Sequence, residues 1–195
     1  MRLHYKKTYD NNPDSLPHGE HKPNAVALKE SKNNKKLSIL SNLGCVFIIA
    51  ILGGLGLVRY WNHIQIFPII LGVYASIMTL IPHELLHAIC FKEDVYIYAN
   101  RKQGMLFLVG AETMSKQRFI FMSLLPNIIF GFIPYIISMI FPNLIFLMTF
   151  SAFCIGLGFG DYYNAYKAIT EMPKGARRYS YKCEAFWYLP SGAEE

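Results

Sequence analysis

The chain has 195 residues, and 53% of them are hydrophobic while only 16% are charged, against roughly 25% charged residues in ordinary soluble domains. The formal net charge is +6, but no basic stripe with interleaved aromatic residues accompanies it, so a nucleic-acid partner is not predicted. The four cysteines have no paired spacing, which argues against a disulfide framework and a cysteine-based zinc site.

Four long stretches are almost free of charged residues, and their lengths predict membrane spans. The first contains 22 residues, which at about 1.5 Å per residue cross roughly 30 Å of hydrocarbon. The sequence therefore predicts an all-α membrane protein with about four transmembrane helices. The four stretches are 37–58, 66–91, 119–141 and 144–159.

The basic residues predict how these spans are oriented. Eighteen of the 19 lysines and arginines lie before residue 37, within 92–118 or after residue 161. With four spans these segments share one side, which the positive-inside rule assigns to the cytoplasm. We therefore expect a multi-pass protein of the cell membrane with both termini cytoplasmic. Residues 1–36 are polar and basic, with no apolar segment typical of a cleaved signal peptide, and predict a flexible cytoplasmic arm.

The second stretch contains the pattern His83-Glu84-Leu85-Leu86-His87. On a helix, positions i and i+4 project from one face, so the two imidazoles can bind one Zn²⁺ while Glu84 takes a proton from water. Ionisable residues inside a membrane span cost about 2.5–3.5 kcal/mol each, which argues against an incidental match. Pro82 is expected to remove one backbone hydrogen bond and to loosen the helix just before His83.

Between the second and third stretches, two short β-prone runs predict a cytoplasmic β-hairpin. They are Val95–Asn100 and 104–110, separated by Arg101-Lys102-Gln103. The alternative is an amphipathic loop that lies on the bilayer.

Two histidines leave a zinc site short of a third protein ligand. The candidates are Asp161, Glu112, His63 and the acidic residues of the tail. Asp161 is favoured because it lies about 9 Å from the inner end of the fourth span, close to the depth of about 12 Å for His83. The fourth stretch is short, so its helix is expected to extend through Asp161 and to end before Pro173.

The glycines of the fourth stretch predict close helix packing rather than a phosphate-binding loop. Gly156 and Gly160 have the small-xxx-small spacing, which is expected to bring the fourth span against the second.

The motif His83-Glu84-Leu85-Leu86-His87-Ala88, with Gly160-Asp161 near the end of a later span, resembles the site-2 protease superfamily of intramembrane zinc proteases. It is more similar still to a bacterial group of small zincin peptidases, HExxH membrane proteins first catalogued as a domain of unknown function. The resemblance covers about residues 37–185. It implies zinc as the cofactor, His83, His87 and Asp161 as metal ligands, Glu84 as general base, and the hairpin as an edge strand for substrate.

Asn127, in the dipeptide Pro126-Asn127 of the third stretch, is the nearest counterpart of the Asn/Pro segment that accompanies the third ligand in site-2 proteases. Two roles are open for it at this point: a hydrogen bond to substrate or oxyanion, or burial against another helix. The implied domains are a 1–36 arm, a 37–170 transmembrane zincin-like domain and a 171–195 cytoplasmic tail.

The leading hypothesis is thus an intramembrane zinc metallopeptidase that cleaves membrane proteins or peptides within the lipid bilayer. One alternative is a metal transporter or sensor, which would need polar groups through the whole membrane depth. The other is a catalytically silent membrane scaffold that binds partners through the hairpin and spans. The sequence predicts no oligomeric state.

Overall fold

The structure is a computed structural model, and it describes residues 2–10, 12–28, 34–100, 105–141, 143–182 and 184–190. The chain forms two compact units. We call Lys35–His83 with Leu124–Tyr163 the helical unit, and Met1–Asn34 with Glu84–Ser123 and Asn164–Glu195 the sheet unit.

The helices follow one another along the apolar stretches that the sequence predicts. They are α1 (Asn34–Arg59), α2 (Ile66–Met78), α3 (Leu80–Ala88), α4 (Lys116–Asn127), α5 (Ile133–Ile140), α6 (Ile145–Leu157) and α7 (Phe159–Glu171), with a π-helical turn at Ile128–Phe132 between α4 and α5. The end of α7 at Glu171 agrees with the predicted stop before Pro173.

Within the described ranges, two helical segments are long and apolar enough to cross a membrane, namely Ser38–Arg59 and Lys116–Ile140. Two further spans result if each bent pair counts as one. The pair α2 and α3 is bent by 40°, and the pair α6 and α7 by 48°. The length and composition of these helices are compatible with a membrane protein of two to four spans.

The first bend follows from Pro82. Proline has no N–H to give to the carbonyl four residues earlier, at Met78, and this is where α2 ends. Pro82 is therefore in the first turn of α3, where the N–H has no intrahelical partner and proline costs little. The disruption predicted before His83 is present, and it takes the form of a new helix start.

Close packing in the helical unit depends on small residues. A Cβ at Gly72 would lie 2.8 Å from the carbonyl oxygen of Phe146 and 2.9 Å from the backbone nitrogen of Phe150, so the glycine lets α2 and α6 approach each other. The predicted contact between the second and fourth spans is therefore present through Gly72.

The glycines of the fourth stretch, Gly156 and Gly160, have different surroundings from those predicted. A Cβ at Gly156 would meet Ile49 and the carbonyl oxygen of Cys45 on α1, while Gly160 has no neighbour within 4 Å of such a position. The expectation that this glycine pair faces the second span is wrong, because the bend between α6 and α7 separates the two positions.

The sheet unit contains two sheets, so the prediction of an all-α fold is wrong. The first sheet has the order β1-β3-β4, with β1 (Leu3–Thr8) parallel to β3 (Val95–Asn100) and β3 antiparallel to β4 (Met105–Gly110). The second is antiparallel with the order β2-β7-β6-β5, formed by β2 (Val26–Ala27), β7 (Glu184–Tyr188), β6 (Arg177–Tyr181) and β5 (Met114–Ser115).

The paired strands β3 and β4 confirm the two runs predicted for the hairpin, whereas the Arg101-Lys102-Gln103 connection lies outside the described residues. The predicted 1–36 arm contributes β1 and β2, and the predicted 171–195 tail contributes β6 and β7. The 1–36 arm was expected to be flexible because it is polar and basic, and no strands were predicted in the tail. The strands of both segments are short, and β1 and β2 gain their backbone hydrogen bonds from strands distant in the sequence. The domain boundaries at residues 36 and 170 stay predictions.

The core of the sheet unit forms between strands of both sheets and the helices that enter this unit. Its members are buried apolar side chains from α3, α4, α7 and the strands, including Ala88, Val95, Phe119, Ala168 and Met172. Burial of these side chains fixes the C-terminal end of α3, and with it His87, relative to α4 and α7.

Candidate metal centre

Helix α3 places the side chains of the sequence motif together. One possible ligand atom from each of His83, Glu84 and His87 lies within 4.8 Å of the others. The helix produces this grouping because His83 and His87, four positions apart, share one face, and Glu84 directly follows His83. The predicted pair of imidazoles with an adjacent carboxylate is therefore present on α3.

His83 contacts Asp161 within the helical unit. Its Nε2 lies 3.0 Å from Asp161 Oδ2, and both side chains are only partly exposed, at 21% and 16%. Asp161 lies in the first turn of α7, where a helix favours negative charge. The chain bends at Gly158, and α7 starts directly after it. The Asp161 carboxylate therefore lies at a helix N-terminus instead of in the middle of a long helix.

The distance between these two groups suits a shared tetrahedral ion. Two ligand atoms about 2.1 Å from a tetrahedral Zn²⁺ lie about 3.4 Å apart, and His83 Nε2 and Asp161 Oδ2 are 3.0 Å apart. Imidazole nitrogens and a carboxylate oxygen are also the donors that zinc prefers in catalytic sites. The residues present fit zinc on both distance and chemistry.

Asp161 has a second partner in the helical unit, Asn127. The amide Nδ2 of Asn127 donates to Asp161 Oδ2 over 2.9 Å, and Asn127 is only 1% exposed. Asn127 is the last residue of α4, directly before the π-helical turn, a feature often found at functional sites. Of the two roles considered for Asn127, burial among helices is what the structure shows, with Asp161 as its partner.

His87 is held within the sheet unit by a backbone group. The residue is 8% exposed, and its Nδ1 lies 2.9 Å from the carbonyl oxygen of Met122 on α4. Because a carbonyl oxygen only accepts, Nδ1 must carry the proton, which leaves Nε2 as the ring nitrogen with a lone pair suited to a metal. Ligating histidines characteristically have such a second contact, because it fixes the tautomer and the ring orientation.

The Met122 carbonyl can serve this role because of the residue four positions later. In an α-helix that carbonyl would accept from the N–H of residue 126, and residue 126 is Pro126, which has no N–H. The Met122 carbonyl was not predicted from the sequence, where Pro126 was considered only as part of the dipeptide Pro126-Asn127. The signal available was a proline inside an otherwise uninterrupted apolar helix.

Glu112, another candidate third ligand, is used differently. It is 7% exposed, accepts from the backbone N–H groups of Lys92 (2.6 Å) and Glu93 (3.0 Å), and forms an ion pair with Arg118. Burial raises its pKa, but the Arg118 hydrogen bond and the two N–H groups outweigh this and leave the pKa of Glu112 below its ordinary value. Arg118 Nε in turn donates to the Cys90 carbonyl over 2.8 Å. Glu112 thus helps to hold the end of α3.

The remaining candidates lie elsewhere in the fold. His63 is exposed on a short 3₁₀ turn, Trp61–His63, after α1. Of the tail acids, Glu171 ends α7 and pairs with Lys167, Glu184 begins β7, and Glu194 and Glu195 lie outside the described residues. Asp161 stays the predicted third ligand.

In a comparison with family models, residues 76–177, about half of the chain, match the family described as "Putative zincin peptidase". The matched segment begins just before the motif helix and ends at the first residue of β6. No curated protein matches the chain, and no solved structure matches it.

Proposed function

The chain belongs to this zincin peptidase family, and we propose that it is an intramembrane zinc metallopeptidase that hydrolyses peptide bonds of membrane-associated substrates. Family membership makes the chain a zinc metalloprotease in general terms, with a peptide or protein as substrate. The location of the site, its mechanism and its substrates are the parts that we propose. The observation that carries the proposal is the grouping of His83, Glu84 and His87 on one apolar helix.

We assign His83, His87 and Asp161 as the three protein ligands of zinc. Contacts to the Met122 carbonyl and to Asn127 support His87 and Asp161, as is usual around catalytic metals. Three protein ligands would leave one coordination position open for water or substrate, which distinguishes catalytic from structural zinc sites.

Bound zinc would supply Lewis-acid chemistry, acidifying water and polarising the scissile carbonyl. Glu84 follows His83 directly and is not one of the three assigned ligands, so we assign its carboxylate as the general base. It would take a proton from the attacking water and deliver that proton to the leaving amine nitrogen. A peptide bond is broken, one water is consumed, and Glu84 returns to its starting protonation state.

A membrane setting is supported by the outward faces of the apolar helices. Large hydrophobic residues on α1 are widely exposed, for example Leu43 (65%), Val46 (65%) and Phe47 (66%). Such a continuous apolar face would be a liability in water but suits lipid. Together with the positions of the basic residues, it supports a multi-pass protein with both termini in the cytoplasm and with water reaching the site from that side.

The substrate would be presented as an extended segment. Among the strands of the described residues, the order β1-β3-β4 places β4 at an edge, where it can accept one more strand through backbone hydrogen bonds. The resemblance to site-2 proteases implies this mode of binding, in which an unfolding substrate helix adds to the edge of the sheet.

The test is Glu84→Gln. We expect the purified variant to retain zinc, measured by elemental analysis, because this substitution removes none of the three assigned ligands. Peptide-bond cleavage should fall by about 10²–10⁴-fold, the range for a lost general base. Since the substrate is unidentified, cleavage is measured by comparing new N-termini in the membrane proteomes of cells that produce wild type or variant.

His83→Ala and His87→Ala are the companion variants and should lose both zinc and cleavage. Cleavage products that accumulate equally with Glu84→Gln would contradict the mechanism. Zinc transport by wild-type protein in proteoliposomes, with no difference in N-termini, would favour the transporter alternative.

A further inference from the structure

One oxygen of the Asp161 carboxylate contacts two side chains. Asp161 Oδ2 lies 3.0 Å from His83 Nε2 and accepts from Asn127 Nδ2 over 2.9 Å. All three residues belong to the helical unit. A neutral amide suits this place, because it donates to a carboxylate without adding a charge to an apolar helix.

Gly158 provides the space that Asn127 occupies. A Cβ at position 158 would lie 1.6 Å from Oδ1, 2.4 Å from Cγ and 2.8 Å from Nδ2 of Asn127. The backbone at Gly158 has φ −76°, which any residue can adopt, so conformational freedom is not the reason for glycine here. The reason is steric: an added methyl group would occupy the position of the amide.

The neighbouring glycine shows the opposite situation. Gly160 is next to Asp161, and a Cβ there would have no neighbour within 4 Å. Of the two glycines that flank this turn of chain, one is required by Asn127 and the other is not. This difference makes them a matched pair for an experiment.

We propose that Asn127 is a positioning residue that orients Asp161 towards the metal, and that Gly158 is glycine so that the Asn127 amide can reach that carboxylate. The inference rests on the proposed function, since it takes Asp161 as the third zinc ligand. Asn127 acts through Asp161, and it restricts that side chain to the orientation in which Oδ2 faces His83.

The expected effect is on metal affinity. Loss of a hydrogen-bond partner of a metal ligand typically costs 10–100-fold in affinity. Asn127→Ala should therefore raise the zinc dissociation constant of the full chain by about 10–100-fold. Gly158→Ala should do the same although it removes no polar atom, because the new methyl group displaces the Asn127 amide.

The experiment measures zinc dissociation constants in detergent by competition with a chromogenic chelator. The variants are Asn127→Ala, Gly158→Ala, their double mutant, and Gly160→Ala as the control. If Gly158 acts through Asn127, the double mutant should bind zinc no more weakly than Asn127→Ala alone. Gly160→Ala should bind like wild type. The visible spectrum of the cobalt-substituted proteins gives a second readout, which should change in the first three proteins and not in the control.

Thermal unfolding of the zinc-free proteins separates a site effect from a general loss of structure. Should Asn127→Ala fail to fold, Asn127→Leu removes the amide while keeping the same number of side-chain heavy atoms, and the same affinity loss is expected. The inference is overturned if a folded Asn127→Ala or Asn127→Leu protein binds zinc with wild-type affinity. It is also overturned if the affinity losses of Asn127→Ala and Gly158→Ala add up in the double mutant.

Two results distinguish this inference from the proposed function. If wild-type protein binds no zinc, or if Asp161→Ala binds it as tightly as wild type, the proposed ligand set fails and the inference fails with it. If wild type binds zinc and Asp161→Ala weakens binding while Asn127→Leu does not, only the role of Asn127 is wrong.

Discussion

The helical unit and the sheet unit differ in the residues that they expose and bury along their elements. In the helical unit, the exposed fraction of Phe47 is 66%, whereas Ser76 and Asn127 are 1% exposed and Ser138 is fully buried. In the sheet unit, Val95 is fully buried, and charged residues such as Lys92 and Glu93 are exposed.

This difference supports the proposal that the helical unit lies in lipid and the sheet unit in water. Burial of apolar area stabilises a fold that is surrounded by water, and the sheet unit follows this rule. In lipid the apolar face has no such tendency to be buried, so helices associate through small residues and buried polar groups. Gly72, Ser76 and Ser138 in the helical unit follow that second rule.

The largest expected effect is on the stability of the sheet unit. Glu112→Ala would leave the Arg118 guanidinium and the N–H groups of Lys92 and Glu93 without their common acceptor. Breaking a buried ion pair by removing one partner costs about 3–5 kcal/mol. We expect that decrease in the free energy of unfolding, measured by urea titration in detergent.

Glu93→Ala is the matched control, since it removes an exposed acid of the same unit and should change stability by no more than about 0.5 kcal/mol. Equal stabilities of the two variants would contradict a stabilising role of Glu112.

The ion pair also predicts a pH dependence. The pKa of Glu112 in the folded protein lies below its ordinary value of 4.5, so its contribution is fully present above that value and is lost as the pH falls through the folded pKa. The stability difference between wild type and Glu112→Gln should therefore be constant near neutral pH and shrink at acidic pH. A difference that grows on acidification would show that the sign is wrong.

A somewhat smaller effect is expected when a charge is placed at an exposed apolar position of each unit. This comparison tests whether the two units lie in different solvents. Phe47 on α1 and Tyr5 on β1 are almost equally exposed, at 66% and 69%. If α1 lies in lipid, Phe47→Lys should cost about 2.5–3.5 kcal/mol of insertion free energy, seen as a lower fraction of protein resistant to carbonate extraction. Tyr5→Lys should have no such effect. Equal behaviour of the two variants would remove the distinction between the units.

How much could be predicted from the sequence depends on whether a feature is set by neighbouring residues or by distant ones. The apolar stretches, the motif on a helix and the β3–β4 strands were predictable because each depends on local pattern and length. Strands β1 and β6 were not, since LHYKKT and RRYSY have little apolar alternation and depend on partners far away in the chain. In the site, Asp161 could be proposed from its position near a span end. The partners Asn127 and the Met122 carbonyl could not, because no spacing in the sequence relates α4 to α3 or α7.

The smallest expected effect concerns how the two units hold their proposed ligands. Asp161 in the helical unit is held by a side chain, whereas His87 in the sheet unit is held by the Met122 carbonyl. Pro126→Ala would add an N–H that competes for that carbonyl, and a neutral hydrogen bond is worth about 1 kcal/mol. The zinc dissociation constant should therefore rise only several-fold.

Helix stability should increase at the same time, because proline disfavours a helix interior. A general loss of structure would weaken zinc binding and also lower the stability of the helix. Weaker zinc binding together with a more stable helix therefore identifies competition for the Met122 carbonyl as the cause. Pro134→Ala is the control, since Pro134 lies in the first turn of α5, and its replacement should leave zinc affinity unchanged. Unaltered affinity in Pro126→Ala would mean that the Met122 carbonyl accepts both donors, and that His87 does not depend on the proline for its orientation.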